Sequence, residues 1–492
     1  MNWKPEHSGE IPVYKQIYIH FENQIRSGTL QSGAKLPTER DLARKLSVNR
    51  STVTTAYDEL RSSGLIESRQ GSGTRVSGFM WETKPVRQPH WQRYNRRVVY
   101  DASEPIRNLA HQSLGHQDII HMIRGELSPD LMPLSLLHQA SQQLNYDVPF
   151  SYFEDWRGDV QLRETLAQFL SARMNIHSDS ANILVTSGVK HALYLIARTL
   201  LQPGDAIAVE GPSYLYSMQV FAEEGLRMVK LEVDEEGLIP EQLPTLYQQF
   251  GVRMVFTNPT YQNPTGTTMS TSRRQKLLEI CEQLNIPLVE DDPYSLLHFS
   301  NASPMVPSIK SMDQKSQYVI YIGTLSKIST PGMRMGYVAA PEQVIRRLAE
   351  AKNRMGYSTS HMGERLAHYF LNEEGLDTHL DRVRKELSRR REHMLQAIHR
   401  EAGEYLELIA PDAPAGGYYL WLRLKDEHAV VSEKAWIEKA IQYGISFYPG
   451  SVFGEGGGKL RLTYASIGIE EIDEGIKRLG RQLRDMSGNP IR

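Results

Sequence analysis

Hydrophobic residues near the start of the chain recur every three to four positions, a spacing that predicts amphipathic helices. In the segment YKQIYIHFENQIRSG the apolar face is formed by Ile17, Phe21 and Ile25. A second helix is predicted after Thr38, which can cap it and is followed by the apolar pair Leu42 and Leu46. Both segments therefore predict helices with one buried face.

A third helix and a hairpin are predicted directly afterwards. The segment RSTVTTAYDELRSSG has the apolar stripe Val53, Ala56, Tyr57 and Leu60. The next residues, LIESRQGSGTRVS, alternate in polarity around a glycine-rich turn, which predicts two antiparallel strands. Residues 11–78 are thus expected to form a winged helix-turn-helix of the α+β class.

The third helix would be the element that enters a DNA major groove, since the second helix of such a pair does so. Its first residues, Arg50, Ser51 and Thr52, supply hydroxyls and a guanidinium that suit phosphates and base edges. The spacing alone leaves a second interpretation open, namely a small helical docking module.

Residues 79–115 show no clear hydrophobic period and contain Pro85 and Pro89, so a linker is predicted there. From residue 116 to 488, helical segments alternate with short apolar runs. The runs are ILVTSG, AIAVEGPS, MVFTNPT, PLVEDDP, YVIYIGTLSK and GYVAAP. This alternation predicts an α/β domain with a largely parallel sheet, whose ligand site lies beyond the carboxyl ends of the strands.

Two strand ends carry residues suited to an aldehyde cofactor. In GTLSKISTPGMRMGY, Lys327 follows a strand together with the hydroxyls of Thr324 and Ser326, and Arg334 lies seven residues on. A partly desolvated lysine can form a Schiff base, and the hydroxyls and guanidinium suit a phosphate. A lone lysine at such a place is more often a surface residue.

The second motif, VEDDPY, supports the cofactor interpretation. Asp291 ends an apolar strand, where a buried carboxylate is costly unless it meets a positive partner such as a protonated pyridine nitrogen. A turn-capping role is reasonable for Asp292 and less so for Asp291.

The front segment resembles a known family of DNA-binding domains. LPTERDLARKLSVNRSTVTTAYDELRSSGLIESRQGSGTRVS is similar to the GntR-type domain along its whole length. The resemblance implies DNA contacts by Arg40, by the helix start at Arg50, Ser51 and Thr52, and by a wing that includes Gly73.

From about residue 120 to the C-terminus, the chain resembles the fold-type I aminotransferases, which bind pyridoxal 5'-phosphate. The resemblance implies that the cofactor's phosphate is bound by Val189, Lys190, Thr324, Ser326 and Arg334. It implies that Tyr214 stacks on the pyridine ring, and that Asn263 and Tyr294 form hydrogen bonds with the phenolic oxygen. It also implies that Asp291 pairs with the pyridine nitrogen and that Lys327 forms the Schiff base. Arg461 matches the arginine that clamps a substrate carboxylate.

One position departs from the family pattern. A tyrosine that reaches the partner subunit's phosphate is expected five residues before Gly158, where this chain has Phe153. Tyr152 is one residue away, and the sequence leaves open which side chain makes the contact.

Composition and charge limit the classes of protein to which this chain can belong. The chain has 492 residues, of which 40% are hydrophobic and 23% charged, with a formal net charge of -2. Residues 1–78 are nonetheless basic, with 11 Lys and Arg against 8 Asp and Glu. Cys281 is the single cysteine, so an internal disulfide is excluded. The sequence shows no signal-like N-terminus and no apolar run of membrane-spanning length, which favours a cytoplasmic protein. It shows no metal-ligand motif, so no metal site is expected.

A GntR-type domain ahead of a fold-type I domain resembles the MocR/GabR-like regulators. The resemblance implies a homodimer that binds double-stranded DNA and responds to an amine or amino-acid effector at Lys327. The alternative is an active aminotransferase with an appended DNA-binding domain, and the complete set of site residues permits it. Effector, operator and sign of regulation are not encoded in any motif.

Overall fold

The computed structural model describes residues 3–6, 11–26, 29–69, 73–77, 103–144, 155–299, 304–315, 317–356, 359–410, 414–426 and 432–487. Two compact units divide the chain, residues 1–98 and residues 99–492. Phe153 and Tyr152, the two candidates for the partner contact, lie outside the described ranges.

The first unit is a three-helix cluster followed by a hairpin. Its elements are α1 (Val13–Arg26), α2 (Glu39–Leu46), α3 (Arg50–Ser62), β1 (Ile66–Arg69) and β2 (Gly73–Val76). Thr38 accepts a hydrogen bond from the Asp41 amide and Asn49 from the Ser51 amide, which fixes where α2 and α3 begin. The hairpin pairs Ile66 with Val76. The predicted winged helix-turn-helix is confirmed.

Apolar residues from all three helices form the core of this unit. The fully buried stripe of α3 matches the one read from the sequence, namely Val53, Ala56, Tyr57 and Leu60. The Tyr57 hydroxyl donates to the Pro37 carbonyl at 2.9 Å, so the ring is held at both ends.

The second unit is an α/β domain. Its helices are α4 (Glu104–Gln112), α5 (Leu134–Gln142), α6 (Val160–Met174), α7 (Val189–Leu200), α8 (Val220–Glu223), α9 (Leu243–Phe250), α10 (Thr271–Leu284), α11 (Ile309–Met312), α12 (Glu342–Arg354), α13 (His361–Asn372), α14 (Leu376–Glu401), α15 (Glu433–Gln442) and α16 (Ile469–Ser487). Its strands are β3 (Ile120–His121), β4 (Ile183–Thr186), β5 (Ala206–Gly211), β6 (Arg227–Asp234), β7 (Gly237–Leu238), β8 (Val252–Thr257), β9 (Leu288–Asp291), β10 (Val319–Thr324), β11 (Gly336–Ala339), β12 (Leu406–Leu408), β13 (Tyr419–Leu424), β14 (Ile445–Ser446), β15 (Tyr448–Pro449) and β16 (Lys459–Thr463).

The large sheet has the strand order β4-β11-β10-β9-β8-β5-β6-β7. Strands β9, β8, β5 and β6 run parallel to β10, whereas β11 is antiparallel to both of its neighbours. The six apolar runs read from the sequence are β4, β5, β8, β9, β10 and β11, and nearly every residue in them is buried. Such continuous burial is expected for strands covered on both faces.

A smaller antiparallel sheet, β12-β13-β16-β15, follows in the C-terminal part. In its register Arg461 lies opposite Trp421 on one side and Tyr448 on the other. In this sheet Arg461 therefore lies between aromatic residues of the two neighbouring strands.

The predicted linker at 79–115 was too long. Residues 104–112 form α4, which packs against α15 and belongs to the second unit. The helix has only nine residues, a proline in its first turn and no side-chain cap from Ser103, so its sequence signal is weak. Within the described ranges, no helix combines the length and apolar character that a bilayer crossing requires.

Candidate cofactor site

The carboxyl ends of β9 and β10 open into a cavity of about 670 Å³. Its walls include every residue of the second unit that the sequence assigned to a cofactor or effector contact, namely Val189, Lys190, Tyr214, Asn263, Asp291, Tyr294, Thr324, Ser326, Lys327, Arg334 and Arg461. Residues from distant parts of the chain thus meet where an α/β sheet binds its ligands.

Asp291 places a carboxylate at the cavity wall. The side chain is buried, and one carboxylate oxygen, Oδ2, accepts a hydrogen bond from the Tyr214 hydroxyl. Burial, together with the charges of Asp292 and Glu210, raises the pKa of Asp291 to about 7, although the Tyr214 bond and Lys327 act in the opposite direction. Its Oδ1 is buried and has no hydrogen-bond partner in the described structure. An N–H donor from a bound group would satisfy this oxygen.

Lys327 follows β10 and reaches the same cavity. Its Nζ donates to the Gly125 carbonyl and lies 5.8 and 5.6 Å from the ring centroids of Tyr294 and Tyr418. The Tyr418 hydroxyl donates to the Lys327 carbonyl at 2.6 Å. Two aromatic walls and a backbone clamp therefore hold the lysine in place.

One end of the cavity has the geometry of an anion site. Helix α7 begins at Val189, so its first amides have no partners within the helix. Gly188 precedes it with φ +87°, and a Cβ there would stand 3.4 Å from the Arg334 guanidinium. Arg334 donates to the Ser187 carbonyl at 3.3 Å, which directs the guanidinium to the helix start. A phosphate fits this donor set.

The hydroxyl of Thr324 organises the strand end beside this anion site. It donates to the Met335 carbonyl at 3.1 Å and accepts from the Ser326 amide at 3.2 Å. These bonds shape the turn that carries Ser326 and Lys327 into the cavity.

Arg461 occupies the opposite wall. It is buried and donates to the Asn263 amide oxygen at 2.8 Å and to the Ile123 carbonyl at 2.7 Å. Its Nε is buried without a partner in the described structure. Because Arg461 takes the amide oxygen of Asn263, the NH₂ group of Asn263 is the part left to donate to a phenolic oxygen.

Three rings surround the Arg461 guanidinium. The centroids of Tyr419, Phe453 and Tyr448 lie 4.1, 5.0 and 5.2 Å from its central carbon. Aromatic faces stabilise a cation that has little access to water. Arg461 could be predicted from the sequence but these rings could not, because they lie on other elements and show no motif.

Glu210 is a second carboxylate that the sequence argument missed. Its carboxylate accepts hydrogen bonds from the Thr257 hydroxyl at 2.7 Å and from the backbone N–H of Asn258 at 2.8 Å. The side-chain NH₂ group of Asn258 in turn donates to the backbone carbonyl of Asp291 at 2.8 Å, and its side-chain oxygen accepts from the backbone N–H of Asn263 at 2.9 Å. Burial raises the pKa of Glu210 to about 7. Glu210 therefore braces the loop that positions Asn263.

Helix α4 also contributes to the cavity, through Arg107 and His111. Arg107 donates to the Ser217 carbonyl, and His111 makes a hydrogen bond of 2.9 Å with the Tyr448 hydroxyl. The first described helix of the second unit thus forms part of the cavity wall.

The residues assigned to DNA contact lie on the surface of the first unit. Arg40, Arg50, Ser51 and Gly73 are exposed and Thr52 is half-buried. The Glu39 carboxylate lies 3.8 Å from Arg50 Nε and accepts from the Thr54 hydroxyl at 2.9 Å. A carboxylate on α2 therefore orients the start of α3, a contact that the sequence argument did not include.

The fold and the site define a class: an aminotransferase-type α/β domain, of the kind that binds pyridoxal phosphate, joined to a winged helix-turn-helix. Residues 125–479 match the family described as aminotransferase class I and II, and residues 13–76 match the bacterial regulatory proteins of the gntR family. The chain belongs to the aminotransferase class I and II family and carries a gntR-family domain in front of it, the arrangement of MocR/GabR-like regulators.

Two relatives align with almost the whole length of this chain, and others align with its second unit. The uncharacterized HTH-type transcriptional regulators YdfD and YisV of Bacillus subtilis are each 34% identical to this chain, over 97% and 98% of it and over 98% of their own length. Aromatic-amino-acid aminotransferase 1 of Thermococcus litoralis is 33% identical over 75% of this chain and 88% of its own. A kynurenine aminotransferase structure from Pyrococcus horikoshii matches with a TM-score of 0.72 and 30% identity, over 80% of this chain and 98% of that one.

Proposed function

We propose that this protein is a transcription regulator that binds double-stranded DNA through its first unit and detects an amine or amino-acid effector through pyridoxal 5'-phosphate in its second unit. The observation that carries the proposal is the cavity shared by Lys327 and Asp291, whose buried Oδ1 has no partner in the described structure, in a chain that also has a gntR-family domain.

The residues of the cavity fit this cofactor. Asp291 Oδ1 needs a donor, which a protonated pyridine nitrogen supplies. The helix start at Val189, with Arg334 and Ser326, would hold the phosphate, and Lys327 would hold the aldehyde carbon covalently. When bound, pyridoxal phosphate supplies an electron sink that makes the amine nitrogen and its neighbouring carbon reactive.

Each side chain has a task in effector binding. Arg461 fixes a carboxylate through its guanidinium, since its buried Nε still lacks an acceptor in the described structure. Asp291 would stabilise the positive charge of a protonated pyridine nitrogen, and the Asn263 NH₂ group would donate to the phenolic oxygen. Tyr294, whose hydroxyl donates to the Tyr419 hydroxyl in this structure, would turn that hydroxyl to donate to the same phenolic oxygen. An effector that displaces Lys327 from the cofactor would free that side chain to take new partners.

Helix α4 offers a route by which the cavity could influence DNA binding. It follows the segment that leads from the first unit, and it contributes Arg107 and His111 to the cavity. An effector that binds two arrangements of α4 unequally would shift their populations. A coupling of about 1–3 kcal/mol changes DNA affinity roughly 5- to 150-fold.

DNA contact is assigned to the exposed start of α3 and to the hairpin. Arg50 and Ser51 are exposed at the start of a helix of the size that enters a major groove, and the Glu39 carboxylate lies 3.8 Å from Arg50 Nε. We infer a homodimer as well, because fold-type I domains usually build their sites at a subunit interface. Two first units would then meet two half-sites.

A second function, transamination, is favoured by two observations. The cavity contains the full set of residues assigned to cofactor and substrate, and an aromatic-amino-acid aminotransferase is a relative at 33% identity. Multiple turnovers with an amino acid and a keto acid at ordinary enzyme rates would favour this function over regulation.

The deciding experiment measures DNA affinity with and without an effector. Duplexes are first selected from a random pool by the full-length protein loaded with pyridoxal phosphate, and each standard amino acid is then added in turn. We expect at least one to change the Kd by 5-fold or more in the wild type and to have no effect in Lys327→Ala. Arg50→Ala is the matched control, since it should weaken DNA binding but keep the cofactor's absorbance. A response that persists in Lys327→Ala would refute the proposal.

A further inference from the structure

The hairpin of the first unit has a further backbone neighbour, the segment 33–36 that precedes α2. The Leu36 N–H donates to the Thr74 carbonyl at 2.9 Å, and Lys35 pairs with Arg75 in an antiparallel bridge. The segment therefore runs along β2 and widens the hairpin by one short backbone pairing.

The two faces of this small sheet differ in character. Leu36 and Val76 are buried in the core of the first unit, so the residues before them, Lys35 and Arg75, lie on the opposite face. Arg75 donates to the Gly33 carbonyl at 2.8 Å, which uses part of its guanidinium. Lys35 is exposed, and among the described residues no carboxylate pairs with its ammonium. The Lys35 charge is therefore available to a partner outside the chain.

The end of the Lys35 side chain lies beside Gly73, the first residue of β2. A Cβ added to Gly73 would stand 3.2 Å from Lys35 Cε and 4.0 Å from its Nζ. Gly73 also has φ +80°, a backbone conformation that favours glycine. Gly73 is exposed, and the resemblance to GntR-type domains assigns it to the wing that contacts DNA. An unpaired ammonium therefore lies next to a position assigned to the DNA interface.

We propose that Lys35 binds a backbone phosphate of the DNA duplex beside the wing. The inference rests on the proposed DNA binding of the first unit and adds a residue that lies outside both α3 and the hairpin. An ammonium offers three N–H donors and a full positive charge, so it binds a phosphate as a point charge. Such a contact fixes the position of the protein on the duplex and carries no base preference. Lys35 therefore contributes to affinity for any sequence, whereas base readout is left to α3.

The test measures how the DNA affinity of the full-length protein depends on salt. A duplex selected from a random pool and a scrambled duplex are titrated with the wild type, Lys35→Gln and Lys35→Arg at several salt concentrations. A lysine that neutralises a phosphate releases counterions, so Lys35→Gln should reduce the slope of log affinity against log salt by about 1. Lys35→Arg keeps the charge and should restore the slope. The loss in Lys35→Gln should be the same factor for both duplexes, because the contact is with the backbone.

A second measurement identifies the phosphate and excludes a merely structural effect. Single phosphates of the selected duplex are replaced in turn by neutral methylphosphonates. At least one replacement that weakens the wild type should have no effect on Lys35→Gln, whereas the other sensitive positions should keep theirs. Lys15→Gln is the matched control, since it removes one positive charge from the same unit at a lysine that pairs with Glu59 at 3.0 Å. Its slope and its pattern of sensitive phosphates should match those of the wild type.

The possible failures can be told apart. If Lys35→Gln keeps the wild-type slope and every sensitive phosphate, the Lys35 contact is overturned and the proposed function stands. If Lys15→Gln lowers the slope as much as Lys35→Gln does, the charge of the unit rather than a contact sets the slope, and the Lys35 contact is again overturned. If the wild type selects no duplex from the pool, the proposed function is overturned together with the contact.

Discussion

Replacement of Asp291 by asparagine should change stability in opposite ways with and without the cofactor. In the cofactor-free protein the buried carboxylate has a pKa of about 7, against an ordinary value of 3.8. Because the folded state holds this proton more tightly than the unfolded state, the stability of the wild type falls as pH rises from 3.8 to about 7. Asparagine does not titrate, so this loss is absent from the variant.

The size of the effect follows from the pKa shift. Each pH unit inside the shifted interval is worth about 1.36 kcal/mol, so from about pH 5 to pH 8 the wild type loses roughly 3 kcal/mol relative to Asp291→Asn. Asparagine can still accept from the Tyr214 hydroxyl, but its NH₂ group replaces an oxygen that has no partner in the described structure. That fixed cost of about 1–3 kcal/mol is the same at both pH values and cancels from the comparison.

The assay is urea unfolding of the full-length protein at the two pH values, followed by tryptophan fluorescence. Glu210→Gln is the matched control, since the pKa of Glu210 is also raised to about 7 by burial. The free energy of unfolding of both variants should rise relative to that of the wild type as pH rises. Only Asp291→Asn should lose the added stability that pyridoxal phosphate gives. A wild-type-to-Asp291→Asn difference that does not change between the two pH values would refute the reasoning.

Three further predictions concern other parts of the chain. Arg50→Ala should lower DNA affinity and reduce the slope of log affinity against log salt by about 1, which a fluorescence titration at several salt concentrations measures; an unchanged slope would remove Arg50 from the phosphate contacts. Arg461→Gln should weaken the response to amino acids by about 1.5–3 kcal/mol and leave simple amines unaffected, as judged by the cofactor's absorbance; equal losses for both would contradict its carboxylate role. Tyr57→Ala should destabilise the first unit by about 3–5 kcal/mol in urea, because the ring is fully buried; a loss under 1 kcal/mol would show that this core does not depend on the ring.

The regular elements could be predicted because their signals are local. The apolar stripe of α3, the cap at Thr38 and the six apolar strands are all read within a few residues of sequence. The meeting of Lys327 and Asp291 could be predicted for a different reason, since strand ends of a parallel sheet meet at one edge, whereas the other residues of the cavity were assigned by resemblance to the aminotransferases. Lys327 and Asp291 therefore share a cavity although 36 positions separate them in the chain.

The contacts that sequence could not supply come from tertiary packing. Tyr419 reads as an apolar strand residue, and nothing near it in the chain indicates that its ring faces Arg461. Glu210 lies near the end of a buried strand, and its sequence context gives no sign that it braces the loop before Asn263. Helix α4 was missed because nine residues without a cap carry too little pattern.

The most direct test of the account is a peptide map of the protein after pyridoxal phosphate is added and fixed with borohydride. We expect one modified peptide, with the pyridoxyl group on Lys327, and no such product at neutral pH in Asp291→Ala at cofactor concentrations that saturate the wild type. Modification of Lys190 or of scattered surface lysines, with Lys327 left unmodified, would contradict it.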